Sequence, residues 1–349
     1  MLGLRPAVED PGTAAQPHPP EATPVLVVLV DEQGNRRTAA RILHPAERSR
    51  ALRLGVDRRV DRVPVERVDD RDEVSAAVVV DRRQPRDAGL DHEVPQYSLV
   101  VHLGLILPNF GTGATAGGIR RAAEAAEELG LDSVWTTEHI IVGPEAVDPY
   151  GRVYDPLVTL GWIAGFTERV GLGTSIVLVP LHHPIHLAKE AATLQELSGG
   201  RLRLGFGIGW HEDEFAFMGV PFRGRGRRAD EAIRAMRALW RGERDFNGEH
   251  LSFHDATFGP LPDPEPELWF GGSSDRAVRR ALEHGGVWHP SCGGDPERVR
   301  AVKGRHPELT TIPRTRLGNM DAVLDAGADG VVVALPDEQA MRDVLARYR

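Results

Sequence analysis

The stretch Gly205-Phe206-Gly207-Ile208-Gly209-Trp210 follows residues 201–204, whose alternating arginine and leucine predict a strand. A strand that ends in glycines lets backbone N–H groups approach a ligand closely, as a bulky cofactor requires at the carboxyl rim of a parallel sheet. Glycines at a strand end also make ordinary turns, so this stretch does not decide alone. The same order of strand and short polar motif recurs at Glu138-His139, Gly173-Thr174-Ser175 and Gly271-Gly272-Ser273-Ser274. Four such strand ends predict one shared pocket.

Strand and helix patterns alternate with short connections from His102 onward, as they do in βαβ units. Eight such pairs in about 250 residues predict an α/β fold of the TIM (β/α)8 barrel type. A doubly wound sheet is the alternative, but the first βα turn at residues 108–113 lacks the glycine pattern and the acidic partner of a dinucleotide site. The predicted strands are 102–107, 133–137, 170–179, 201–206, 268–270, 286–289, 310–314 and 330–334, and the predicted helices are 118–129, 155–167, 184–197, 227–240, 274–283, 295–303, 320–326 and 337–347.

Residues 1–98 differ in pattern from residues 99–349, which are predicted to form the barrel. They contain a proline-rich patch at 17–24 and an Arg/Asp/Val run at 57–72, with neither a helical nor a strand period. Stretches 25–30 and 74–80 could be strands, without a convincing partner. We expect an N-terminal extension that is disordered, or that is translated from DNA upstream of the true start, in preference to a small accessory domain.

Composition restricts the classes of partner. The formal net charge is -9, which disfavours a nucleic-acid surface and a polybasic membrane face. Cys292 is the only cysteine, so a disulfide framework and a thiolate metal cluster are excluded. No apolar run approaches the ~20 residues of a membrane span. We therefore expect a cytoplasmic protein that binds a small-molecule substrate, with no nucleic-acid or membrane partner and with a homodimer left open.

His139, preceded by Glu138, ends the second predicted strand. An imidazole at the catalytic rim of a barrel can donate to an electron-rich ring or shuttle a proton near neutral pH. The alternative is a buried histidine bonded to backbone, but the position at the rim favours chemistry. His139 and Glu138 are the candidate catalytic residues.

Two further motifs at strand ends have both a structural and a functional interpretation. Thr174-Ser175-Ile176 either fills the barrel or forms a bulge on which a flat ring rests. The stretch from Gly271 to Asp275 joins a strand to a helix, where N–H groups and serine hydroxyls form an anion site and an N-cap alike.

Three clusters of charged or basic residues have both a structural and a functional interpretation. His182, His183 and His186 do not predict a metal, because Pro184 separates them and no carboxylate stands at a ligand-like spacing; no metal is expected. The run at residues 212–214 is most simply a solvated acidic face, although one of its members could serve as a general acid. The arginine cluster at residues 223–228 is most simply exposed, or clamps an anionic cofactor tail.

Taken together, these motifs resemble the luciferase-like monooxygenase superfamily, and within it the oxidoreductases that depend on the deazaflavin coenzyme F420. The matching stretches follow the family's order from about His102 to the C-terminus, and they are specific only as a set. They are Gly104-Leu105-Ile106-Leu107-Pro108-Asn109, Val134-Trp135-Thr136-Thr137-Glu138-His139, Leu172-Gly173-Thr174-Ser175-Ile176-Val177, His183-Pro184 with Leu197-Ser198-Gly199-Gly200-Arg201, Gly207-Ile208-Gly209-Trp210, Arg228-Ala229-Asp230-Glu231 with Leu239-Trp240, and Trp269-Phe270-Gly271-Gly272-Ser273.

The resemblance implies hydride transfer between ring carbon 5 of F420 and a small organic substrate. It implies that His139 approaches the reactive ring and that Ser175 and Ile176 form a non-prolyl cis peptide behind it. The cofactor-binding set that it implies is Thr174, Ser175, Ile176, Gly207, Gly209, Trp210, Gly271, Gly272 and Ser273, of which Gly207, Gly209, Gly272 and Ser273 line the ribityl-phosphate path.

Two other functions share this resemblance. Superfamily relatives that use reduced FMN activate oxygen instead, so an FMN-dependent monooxygenase is the first alternative, and a non-catalytic flavin-binding barrel is the second. The chain departs from members that oxidise sugar phosphates or secondary alcohols, because these place a glutamate where this chain has Trp210. That departure disfavours an alcohol-dehydrogenase mechanism.

Overall fold

The computed structural model describes residues 101–290 and 294–349, together with three strands earlier in the chain. The chain divides into two units, Met1–Pro95 and Gln96–Arg349. In the first unit, β1 (Val25–Val30) pairs antiparallel with β2 (Arg36–Arg37) and parallel with β3 (Ala76–Val80). The sequence suggested strands near β1 and β3 but not their pairing. The predictions for the rest of residues 1–98, and Cys292, lie outside the described residues.

The second unit contains eight parallel strands that form a nearly closed barrel. Their neighbours follow the order of the chain, and the eighth strand pairs with the first. One extra short strand prolongs the third barrel strand, and a two-stranded hairpin lies outside the barrel. The strands are β4 (His102–Ile106), β5 (Ser133–Thr136), β6 (Gly171–Thr174), its extension β7 (Val177–Leu178), β8 (Leu202–Gly207), the hairpin β9 (Phe246–Asn247) and β10 (Ser252–Phe253), β11 (Glu267–Gly271), β12 (Val287–His289), β13 (Arg314–Thr315) and β14 (Gly330–Val333).

Helices follow the strands and cover the barrel. Their ends follow from local sequence: Thr115 and Asp155 accept hydrogen bonds from the backbone N–H three residues on, and Gly130 ends the first helix at a φ of 78°. The helices are α1 (Ala116–Leu129), α2 (Val147–Tyr150), α3 (Pro156–Ala164), α4 (Pro184–Leu197), α5 (Glu212–Phe217), α6 (Arg225–Trp240), α7 (Asp275–His284), α8 (Pro296–Arg305), α9 (Met320–Asp325) and α10 (Glu338–Tyr348), with 3-10 turns at Pro144–Ala146, Val179–Leu181 and Leu317–Asn319.

The barrel closes between β12 and the segment just before β13. The Trp288 N–H donates to the Thr310 carbonyl at 2.9 Å, and the Ile312 N–H donates to the Trp288 carbonyl at 3.0 Å. The predicted seventh strand at residues 310–314 therefore supplies this contact, although the regular strand begins only at Arg314.

The barrel interior is filled by aromatic side chains. The rings of Trp135 and Trp269 lie 4.4 Å apart, and the His289 ring lies 5.1 Å from that of Trp135. All three side chains are fully buried. This packed interior supports the strand ends and leaves the carboxyl rim as the place for a ligand, as in other TIM barrels.

The predicted TIM barrel is confirmed, with all eight strands and eight helices close to their predicted positions. The predicted strand at residues 170–179 is wrong in one respect, because it is two strands, β6 and β7. Ser175 and Ile176 separate them, and the Ser175–Ile176 peptide bond is cis, as the resemblance implies. No helix in the described part of the chain is both long enough and apolar enough to cross a membrane.

Candidate functional site

A cavity of about 690 Å³ lies at the carboxyl ends of the barrel strands, within the usual size range of small-molecule sites. Residues at the ends of six of the eight barrel strands line this cavity. Nine of the predicted site residues line it, namely Glu138, His139, Ser175, Ile176, Gly207, Gly209, Trp210, Gly271 and Gly272. The remaining lining residues are Thr137, Tyr150, Leu178, Ile208, Arg314, Thr315, Arg316 and Ala334.

Two predicted site residues lie outside this lining. Thr174 is fully buried, and its hydroxyl donates to the Gly205 carbonyl at 3.0 Å and accepts from the Gly205 N–H at 2.8 Å. It therefore ties β6 to β8. Ser273 is exposed, and its carbonyl accepts a hydrogen bond from Arg298.

His139 forms a buried pair with Glu214. Its Nδ1 donates to Glu214 Oε2 at 2.9 Å, while Glu214 Oε1 accepts from the Ile140 N–H at 2.6 Å. The two side chains are 5% and 1% exposed. Because the carboxylate holds the Nδ1 proton, the neutral imidazole presents a lone pair at Nε2. Nε2 makes no hydrogen bond to the described residues, so it is available to a ligand.

The interpretation of residues 212–214 as a solvated face is wrong at Glu214. This residue is fully buried, because α5 folds back against the connection that follows β5. Glu212 is exposed and Asp213 is half-buried, because they lie on other faces of the same helix. The sequence offered no signal for the contact, since His139 and Glu214 are 75 positions apart.

Glu138 uses both of its carboxylate oxygens within the protein. Oε2 accepts from the Leu178 N–H at 2.5 Å, and Oε1 pairs with His182 Nε2 at 2.9 Å. Burial acts to lower the pKa of His182, but the hydrogen bond and the charge of Glu138 outweigh it and raise that pKa. Glu138 thus anchors β7 beside the cavity.

The glycines at the strand ends make room for Ile176. A Cβ on Gly207 would lie 1.9 Å from Ile176 Cδ1, and one on Gly271 would lie 2.6 Å from the same atom. A Cβ on Gly205 would lie 1.9 Å from the Thr174 carbonyl oxygen. Glycine at these positions is therefore required by contacts between neighbouring strands, whatever ligand binds.

Gly209 and Gly272 differ from the glycines around Ile176 because both have a positive φ, of 75° and 96°. A Cβ on Gly209 would collide with the Phe215 ring at 2.6 Å, whereas one on Gly272 would meet only Ala277 at 3.5 Å. Gly272 is therefore the rim glycine that packing leaves open toward the cavity, two residues before the Ser274 N-cap of α7.

Every hydrogen-bonding group of Ser175 but one is used within the protein. Its N–H donates to the Thr136 carbonyl at 2.7 Å, and its carbonyl accepts from Arg314 at 3.0 Å. Its hydroxyl pairs with His289 Nε2 at 2.9 Å, while His289 Nδ1 donates to the Ile312 carbonyl at 2.6 Å. Since Nδ1 carries the proton, Nε2 accepts and the serine hydroxyl donates. Only the acceptor capacity of the Ser175 oxygen remains for a ligand.

The buried His289 makes stability depend on pH. Burial lowers its pKa from 6.5 to about 4. Between these two pH values the histidine is mostly protonated in the unfolded chain and mostly neutral in the folded protein. The free energy of unfolding should therefore be highest above pH 6.5 and fall by about 3 kcal/mol as the pH drops to 4, through this group alone. His289→Asn, which retains a donor for the Ile312 carbonyl, should lack this share of the pH slope in urea unfolding at several pH values. Parallel curves for the two proteins would contradict the prediction.

The sequence interpretation missed His289, Tyr150, Arg314 and Arg316, and it considered Glu214 only as one member of an acidic run that could supply a general acid. Tyr150 lies on α2, and its ring centroid is 4.2 Å from that of His139. Arg314 donates to the Thr137 hydroxyl and to the Ser175 carbonyl, each at 3.0 Å. The seventh strand was predicted to end at Arg314, and its position at a strand end was the one signal that could have singled it out.

Glu145, His211 and Asp213 come together beside the cavity in a way that resembles a metal site. However, His211 Nε2 accepts a hydrogen bond from the Gly143 N–H at 2.8 Å, so Nδ1 carries the proton of the neutral ring. Nδ1 then has no lone pair for a metal and points its N–H toward Glu145 at 3.5 Å. The geometry therefore favours a polar contact between a neutral His211 and these carboxylates in this place.

The family model for luciferase-like monooxygenases matches residues 100–306, more than half of the chain. The chain belongs to the luciferase-like monooxygenase family. The matched region includes β4 to β12 and the rim residues on them, so the resemblance that the sequence carried is confirmed at the level of the family.

The relatives of this chain include an F420-dependent enzyme and a flavin-dependent enzyme. The F420-dependent glucose-6-phosphate dehydrogenase of Kineococcus radiotolerans is 41% identical over 164 residues, covering 46% of this chain and 48% of the relative. The oxygenase component of the flavin-dependent trigonelline monooxygenase of Acinetobacter baylyi is 29% identical over 194 residues, covering 54% and 52%. The chain thus spans about half the length of these two curated relatives.

Among solved structures, monooxygenase RslO1 from Streptomyces bottropensis aligns with a TM-score of 0.53 and 26% identity, covering 71% of this chain and 76% of that one. The relatives are thus oxidoreductases of both the F420-dependent and the flavin-dependent kind. Family membership alone leaves the choice between the two cofactors open.

Proposed function

We propose that the protein is an oxidoreductase that binds F420 in the rim cavity and transfers hydride between this deazaflavin and a small organic substrate. The observation that carries the proposal is the His139–Glu214 pair, which presents an imidazole Nε2 at a cavity of cofactor size. A carboxylate that orients an imidazole through Nδ1 is a recurrent arrangement for proton transfer.

The residues around the cavity fit a deazaflavin. Ser175 and Ile176 present an edge with one free acceptor, which suits a ring N–H. Gly272 and the start of α7 at Asp275 suit a phosphate, because the backbone N–H groups at a helix N-terminus favour anions. Arg298 and Arg305 pair with Asp275 and offset the negative charge of that side chain.

In this proposal His139, Glu214 and Glu138 have different roles. The bound deazaflavin supplies the hydride donor or acceptor. His139 gives or takes a proton at Nε2 on the substrate side, and Glu214 holds the ring in place through Nδ1. Glu138 acts as a positioning residue through Leu178 and His182 and does not itself react.

A higher identity supports F420 over FMN, because the F420-dependent relative is 41% identical and the flavin-dependent one 29%. The FMN-dependent monooxygenase is the second candidate, and it is favoured by the structural match to a monooxygenase at 26% identity. A non-catalytic flavin-binding barrel is the third, and the intact His139–Glu214 pair argues against it.

The test is a fluorescence titration of the purified protein with F420 and, separately, with FMN. We expect F420 to bind at least about tenfold more tightly, a difference of about 1.4 kcal/mol in binding free energy. Tighter binding of FMN, followed by oxygen consumption when reduced FMN is added, would replace the proposal with the monooxygenase. Binding of either cofactor without turnover of any substrate would favour the carrier.

A further inference from the structure

Two aromatic side chains, Tyr150 and Trp210, lie beside His139 in the wall of the cavity. The imidazole lies 4.2 Å from the Tyr150 ring and 5.8 Å from the Trp210 ring, and the two flanking rings lie 6.5 Å apart. Trp210 is 57% exposed although it lines the cavity. An indole left open at the mouth of a cavity offers a face against which a flat ligand can stack.

The connection that carries His139 and Tyr150 also exposes three apolar side chains. Ile140, Ile141 and Val147 are 44%, 47% and 55% exposed. Single exposed apolar residues are common, but several on one connection mark a binding surface.

Among the charged side chains that line the cavity, the Arg316 guanidinium is available to a ligand. Both oxygens of Glu138 are engaged by Leu178 and His182, and Arg314 bridges Thr137 and Ser175. Arg316 is exposed, lines the cavity, and its guanidinium has no hydrogen bond or ion pair to the described residues. A guanidinium binds a carboxylate through two parallel N–H···O bonds.

We propose that the substrate side of the cavity takes a flat, apolar carboxylate, whose aromatic or conjugated part packs against Trp210 and Tyr150 and whose carboxylate pairs with Arg316. This inference rests on the proposed function in taking the cavity as the place of reaction. The anion that Arg316 binds belongs to the substrate in this proposal, while the phosphate of the cofactor lies at Gly272 and α7. The aromatic wall disfavours a polyhydroxylated sugar phosphate relative to such a ligand.

The test uses three probes on the full chain without cofactor: cinnamate, the uncharged cinnamyl alcohol, and glucose 6-phosphate, each titrated by isothermal calorimetry. We expect cinnamate to bind more tightly than both others. In Arg316→Gln, cinnamate should lose about tenfold in affinity and cinnamyl alcohol should be unchanged. In Trp210→Ala, both aromatic probes should weaken by about the same factor, as loss of one stacking partner predicts.

Two matched variants control for general effects. Arg300→Gln removes an exposed arginine on α8, and Trp162→Ala removes an exposed tryptophan on α3, both away from the cavity lining. Neither should change the affinity of any probe. Equal binding of cinnamate to wild type and Arg316→Gln, or preferential binding of glucose 6-phosphate, would overturn the proposal.

A titration of Arg316→Gln with F420 separates the two sources of an anion. Unchanged F420 affinity is expected, whereas a loss confined to F420 would assign Arg316 to the cofactor and overturn the substrate assignment. If wild type binds cinnamate as expected but does not bind F420, the proposed function falls and the carboxylate site stands. If F420 binds and cinnamate does not, the carboxylate site falls and the proposed function stands.

Discussion

His139→Asn is expected to lower turnover about 10²–10⁴-fold, because an asparagine keeps a donor for Glu214 in the place of Nδ1 and removes Nε2. The free energy of unfolding should change by less than about 1.5 kcal/mol, since the buried carboxylate retains its partner. The rate is measured as deazaflavin reduction or reoxidation with a substrate that the wild type turns over. Affinity for the cofactor should change less than tenfold.

Alanine is the weaker choice at this position. It would leave Glu214, which is fully buried, with the Ile140 N–H as its one remaining partner, and a buried carboxylate that loses its partner destabilises a protein strongly. His186→Asn serves as the control, because this histidine side chain is 77% exposed on α4. Turnover of His139→Asn within tenfold of wild type would show that Nε2 takes no part in the reaction.

Gly205→Ala is expected to reduce the free energy of unfolding by more than about 4 kcal/mol, the range of a severe steric conflict in a core. The added Cβ would lie 1.9 Å from the Thr174 carbonyl oxygen. This carbonyl cannot move freely, because the next residue, Ser175, is held through its N–H, its carbonyl and its hydroxyl. Urea unfolding measures the difference.

Gly161→Ala is the matched control for this glycine. Gly161 lies on the exposed side of α3, and a Cβ there would meet no atom within 4 Å. Alanine should stabilise this helix by about 0.5–1 kcal/mol. A loss below about 1 kcal/mol in Gly205→Ala would mean that β6 and β8 can separate locally, and the described contact between them would then be too loose to shape the cavity.

The barrel could be predicted because its signals are local. Each strand and helix has its own period, and the βα order places all strand ends at one rim. This is why His139, Ser175 and Gly272 could be assigned to one pocket from sequence. The positions of Ser175 and Ile176 in a cis peptide came from the family resemblance and not from any period in the residues.

The partners of these residues could not be predicted, because they depend on contacts between distant parts of the chain. Glu214 is 75 positions from His139, and His289 is 114 positions from Ser175. An acidic run such as residues 212–214 is interpreted as solvent-exposed unless it is known which face of the helix packs against the protein. The glycines of the rim were interpreted through a ligand, whereas contact with Ile176 already requires Gly207 and Gly271, and contact with Phe215 requires Gly209.

The connections that follow β5 and β8 are joined by three hydrogen bonds. Glu214 holds both His139 and Ile140, and His211 holds the Gly143 N–H. Opening either loop without the other would therefore break these hydrogen bonds. An engineer who wishes to change the substrate range by grafting loops from a relative must transplant both connections together, because either one alone arrives without its anchor.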